Sequence, residues 1–166
     1  MNRVFVTILV IIFSLPLIFF IGNFILWNSL SSPRISPRQM ERIFIADYDV
    51  LMVIVNYLED SEHTSISFSP DRDEGYMLVH SSRLGFQRTP ITDESVIEAI
   101  EILRERGYGV ISKNSYMIRF LRWSTMGRGR GILYSLDGSV PDTTILTFFT
   151  MMEPLSKDGW FFYEEN

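Results

Sequence analysis

Cysteine is absent from all 166 residues. That excludes disulfide staples, thiolate nucleophiles, cysteine metal ligands and a lipidated N-terminal cysteine, while leaving the compartment open. Lysine is almost missing as well, Lys113 and Lys157 being the only two. Acidic residues outnumber basic ones, 20 to 15, for a net charge of −5. Because Arg3 is the one charged residue before Asn28, the rest of the chain is a unit more negative still. An acidic chain without a basic stripe does not neutralise phosphates, so nucleic acid is not an expected partner. The sequence also lacks a G-x-S-x-G elbow, an S-x-x-K pair and a phosphate-binding glycine loop followed by lysine. No cofactor is expected.

A long uncharged run is present. From Val4 to Trp27 there is no charged side chain, and as a helix at ~1.5 Å per residue the run reaches about 36 Å, enough to cross a hydrocarbon core of roughly 30 Å. Cleaved secretory signals have shorter apolar cores and small residues at the cleavage site, whereas Phe24, Ile25, Leu26 and Trp27 are bulky. Residues 1–27 are therefore read as a single-pass signal-anchor, with Pro16 as a kink and Trp27 at the interface. Positive charges flank the run on both sides, Arg3 before it and Arg34, Arg38 and Arg42 after it. The short N-terminal tail favours a soluble part outside the cytoplasm.

Residues 28–35 read as a short linker, since Asn28 to Pro33 contains three serines and a proline. Residues 36–166 are expected to form one α+β domain with two helices on a curved antiparallel sheet. Ser36, Pro37 and Gln39 spell a capping box with proline at the first helical position, and Ile35 and Met40 are spaced for a hydrophobic staple. Met40, Ile43, Phe44, Leu51, Ile54, Val55 and Leu58 recur at helical spacing, which predicts a helix over Pro37–Leu58 with Asp47 and Asp49 in solvent. Two β-prone runs, Thr64–Ser69 and Tyr76–Ser81, surround a string of turn formers and predict a hairpin. Thr92 is expected to cap a second helix that buries Val96, Ile97, Ile100 and Leu103 and ends at Gly107. Strands are then expected over Tyr108–Ser112, Tyr116–Trp123, Gly131–Leu136, Thr144–Met151 and Trp160–Tyr163, the last as a terminal edge strand.

Candidate chemistry is sparse. His63, His80 and Glu62 lack the spacing of a zinc set, and Asp71, Asp73 and Glu74 precede Gly75 one residue too closely for a calcium loop. No metal is expected. The run Gly127-Arg128-Gly129-Arg130-Gly131 carries forked donors between permissive glycines, so Arg128 and Arg130 are the anion-binding candidates. The same run also reads as a mobile connection between two strands. Arg119 and Arg122 alternate to opposite faces of their strand, and one of them is expected to pair with a helix carboxylate.

Two functional classes fit these features. One is a membrane-tethered accessory or interaction domain that recognises a protein or envelope component. The other is a small ligand-binding domain or hydrolase with a pocket between sheet and helices. Missing motifs argue against an enzyme, and catalytic residues are not identified.

Overall fold

The computed structural model describes residues 21–23, 35–73, 75–81, 85–125, 128–141 and 148–166. The chain divides into two units, Met1–Arg34 and Ile35–Asn166. In the first, residues 21–23 are helical; the remainder of the expected anchor and most of the linker lie outside the described residues. Among the described residues no helix is long and apolar enough to cross a membrane.

The second unit starts at the capping box. Ser36 N–H donates to Gln39 Oε1 at 2.9 Å and Gln39 N–H donates to Ser36 Oγ at 3.3 Å, launching α1 (Pro37–Glu59). Its apolar stripe buries Met40, Phe44, Leu51, Ile54, Val55 and Leu58, with Ile35 half-buried against the same cluster. Two reciprocal bonds at an exposed helix start contribute about 1–2 kcal/mol. Replacing Ser36 and Gln39 together by alanine should lower the urea midpoint accordingly; an unmoved midpoint would show that the box is inert.

After α1 come β1 (Ile66–Phe68), β2 (Tyr76–Ser81) and β3 (Gly85–Pro90), then α2 (Glu94–Glu105) and β4 (Val110–Lys113), β5 (Met117–Thr125), β6 (Arg128–Ser135), β7 (Phe149–Pro154) and β8 (Trp160–Glu165). These eight strands among the described residues pair antiparallel in one sheet of order β3-β2-β1-β4-β5-β6-β8-β7. The α+β class and the β1–β2 hairpin match the sequence reading. Several details differ. Strand β3 was not anticipated, because Gly85–Pro90 buries almost nothing and lacks the alternation that marks a strand. The C-terminal strand β8 lies inside the sheet between β6 and β7, so the edge on that side is β7. Finally, Arg128, Gly129 and Arg130 belong to β6 rather than to a connection.

Alternation divides the sheet into two faces. Ile66, Phe68, Met77, Val79, Ile111, Ile118, Phe120, Ile132, Trp160 and Phe162 share a core with both helices. At its centre the Trp160 ring meets Phe44 at 5.1 Å and Tyr134 at 5.0 Å, with Phe120 and Tyr48 at 6.0 Å. The opposite face carries a smaller cluster of Met117, Leu133, Phe149, Phe161 and Tyr163.

The start of α2 is capped by Asp93 instead of Thr92, its Oδ1 accepting from the N–H groups of Ser95 at 2.9 Å and Val96 at 3.3 Å. Aspartate wins because its carboxylate also meets the positive end of the helix dipole. Ile97, expected in the buried face, is 43% exposed, and Ala99 takes the inward position. The far end of α2 closes as a Schellman turn: Tyr108 N–H donates to Leu103 O, Gly107 N–H donates to Arg104 O, and Gly107 sits at φ +83°.

That turn holds Arg106 and Tyr108 against Asp47, which is buried in the middle of α1 and not in solvent as its polarity suggested. Arg106 donates to Asp47 Oδ1 at 2.6 Å and to the Ala46 carbonyl at 3.0 Å, while Tyr108 Oη donates to Asp47 Oδ2 at 2.7 Å. From β5, Arg122 comes within 3.6 Å of Asp47 Oδ2 and stacks over Tyr108 and Trp123. Arg122 is thus the arginine that finds a helix carboxylate; Arg119, on the other face, pairs with Glu165 at 2.9 Å. Burial, reinforced by the Asp47 charge, pushes the Tyr108 phenol far above its ordinary pKa, so it remains a donor.

Candidate functional site

A groove of about 610 Å³ lies between the end of α1 and the start of α2. Its position follows from how the two helices are capped. Helix α1 carries no basic residue in its last turn; Lys113, buried at the end of β4, supplies that charge from across the sheet. Lys113 Nζ donates to the carbonyl oxygens of Leu58 and Ser61, tying down backbone groups that the helix cannot satisfy itself. The following residues Asp60, Ser61, Glu62 and His63 are thereby held as one wall of the groove.

Asp93 and Ser95, at the capped start of α2, form the facing wall, and Val53, Met77 and Val96 provide an apolar floor. Asn56 and Tyr57 project from the last turns of α1 between them. Among the described lining residues are three carboxylates, Asp60, Glu62 and Asp93, and neither lysine nor arginine. The hydrogen bonds from Ser95 and Val96 hold the Asp93 carboxyl below the usual aspartate range. Burial, with the Asp93 charge beside it, pushes the Tyr57 phenol up. At neutral pH the groove therefore presents an ionised carboxylate and a protonated phenol.

The Ser95 hydroxyl donates to Asp93 Oδ1 at 2.6 Å, but that oxygen already caps the helix, so the pair is a structural cap and not a nucleophile with its base. Among the described residues no group of three histidine, aspartate or glutamate side chains is placed to hold a metal ion. His63 lines the groove, whereas the His80 ring packs on Phe86 at 5.1 Å in the β2–β3 hairpin. Asp73 serves its turn, accepting from Ser69 N–H at 2.9 Å.

Arg128 and Arg130 occupy a different place, a small cleft of about 260 Å³ shared with Gly129, Thr150, Glu164, Glu165 and Asn166. Arg130 Nε lies 2.7 Å from Glu164 Oε1. An anion entering this cleft would face two carboxylates as well as two guanidinium groups. Sequence reading singled out these arginines because glycines framed them. It weighed Glu62 only as a metal ligand and did not connect Asp60 and Glu62 with Asp93, which stands some thirty residues further along the chain and lines the same groove. Their one local signal was the helix boundary on each side.

No protein-family model, no curated protein and no solved structure matches the chain.

Proposed function

We propose that this chain is a membrane-tethered binding domain that takes a cationic group of a ligand or partner into the groove between α1 and α2. The observation that carries this reading is the lining itself: three carboxylates and a phenol around an apolar floor, with no lysine or arginine among the described lining residues. Such a wall attracts ammonium or guanidinium groups, and the floor accommodates the aliphatic stem behind them. The uncharged Val4–Trp27 run supports the tether, and it is expected to hold the domain near its partner at the bilayer, on the extracytoplasmic side.

The test uses the full chain in lipid nanodiscs, titrated with spermidine and with a short arginine- and lysine-rich peptide. At low salt, Asp60→Asn combined with Glu62→Gln should weaken binding about tenfold, since each exposed ion pair contributes up to ~1 kcal/mol. Asp93 is left intact because it holds α2. Raising the salt should abolish most of the difference by screening. If wild type binds neither probe, or binds no better than the double variant, the groove is not a cation site. In cells, the chain should stay in the membrane through alkaline carbonate extraction.

A further inference from the structure

The edge strand β3 is exposed along nearly its whole length, with Phe86 70% accessible. Strand edges are normally guarded against pairing by lysines, bulges or a covering element. Here the described residues of the edge offer only Arg88 and Pro90 as guards, and the β2–β3 register runs without a bulge from Tyr76↔Pro90 to Ser81↔Gly85.

Which backbone groups point outward follows from two bonds. His80 N–H donates to Ser65 O, on the β1 side of β2, and Ile91 N–H donates to Gly75 O. Met77, Val79 and Ser81 therefore turn their backbone groups toward β3, where they face Thr89, Gln87 and Gly85. Phe86 and Arg88, the alternate residues, aim their N–H and C=O groups away from the sheet. Pro90 has no N–H and ends the row.

We infer that β3 is a self-complementary docking edge that pairs antiparallel with β3 of a second copy of this chain, about a two-fold axis at Gln87. In that register Phe86 faces Arg88 of the other copy, and the two equivalent pairs exchange four backbone hydrogen bonds. The side chains agree with this register and oppose its neighbours. Arg88 already lies over the Tyr76 ring at 4.6 Å, and its other side meets the Phe86 ring brought in from across the axis, a favourable cation–π contact. Slipping the pairing by one step in either direction sets Arg88 against Arg88 or Phe86 against Phe86. At the axis the Gln87 amide meets its own copy, a group that is donor and acceptor at once. Occupancy by a second copy does not depend on the groove.

The absence of native cysteine makes the test direct. Gln87 would stand in a non-hydrogen-bonded pair, with Cα atoms about 4.5 Å apart across the axis, inside the range a disulfide spans. Full-length Gln87→Cys, in detergent at less than one chain per micelle, should form a disulfide dimer at least about tenfold faster than Tyr116→Cys, an exposed control outside the edge. Phe86→Cys and Arg88→Cys should lag, since their own copies lie diagonally, about 7–8 Å away. Adding Arg88→Pro to Gln87→Cys removes an N–H that points away from β2, and should return cross-linking to the control rate while circular dichroism stays unchanged. Gln87→Cys cross-linking no faster than Tyr116→Cys would overturn the proposal. So would equal rates at 86, 87 and 88, which would mean collision without register.

Discussion

Replacing Asp47 by alanine is expected to destabilise the domain by about 3 kcal/mol or more, because removing one member of a buried ion cluster leaves the others uncompensated. The loss is unequal among its partners. Arg106 is more than a third exposed and can turn to water, while Arg122 is 19% exposed and Tyr108 is buried, so Arg122 is left without its counter-charge and Tyr108 without its acceptor. Asp47→Asn, which keeps an acceptor oxygen, should cost less. Pairing Asp47→Asn with Arg122→Met should cost less than the sum of the two single changes, since the groups interact directly. Denaturation curves for the four proteins measure this. Strict additivity would show that the contacts at Asp47 contribute no coupling.

Gly131→Ala is expected to be at least as damaging, and Gly129→Ala much less so, although the two glycines stand in one short sequence. A Cβ at Gly131 would lie 2.0 Å from the Phe120 carbonyl oxygen of the paired strand, a backbone atom that cannot move without breaking the β5–β6 ladder. Overpacking against backbone costs about 3 kcal/mol or more. At Gly129 the crowding atoms belong to the Glu165 and Leu121 side chains and not to backbone, so they can rotate aside, and about 1 kcal/mol is the expected loss. A comparison of thermal midpoints decides it; similar small shifts for both variants would mean that the two strands separate easily at this point.

Both predictions arise from one local irregularity. The β5–β6 register shifts between Leu121 and Trp123, leaving Arg122 as the extra residue of a bulge, with Gly131 opposite Leu121. The shift sets Arg122 and Trp123 on the helix side together, so the guanidinium lies 4.8 Å over the indole while reaching Asp47. Glycine at 131 permits the close approach that the bulge requires. What read as a flexible arginine loop is partly a strand shaped to its neighbour.

Asp47 was legible in principle. It falls on the stripe Met40, Phe44, Asp47, Leu51, Ile54 and Leu58, and a carboxylate on an apolar stripe signals a buried partner rather than a solvated face. The capping box, the turn at Gly107 and the antiparallel hairpin were readable because each depends on residues within a few positions of one another. Strand β3 was not readable: an edge strand exposed on both faces has no burial pattern to imprint on its sequence.

The sequence by itself therefore determined the start of α1, the turn that ends α2, the α+β class, and an uncharged run long enough to span a bilayer. Tertiary structure alone decided which distant groups meet. It brought Lys113 to the end of α1, set Asp60 and Glu62 across from Asp93, placed β8 inside the sheet, and buried Asp47 among Arg106, Tyr108 and Arg122. The physical reason is that caps and turns are satisfied by neighbours in the chain. The partners of a buried charge, and the walls of a groove, are selected by strand order and helix packing, and local sequence does not encode these.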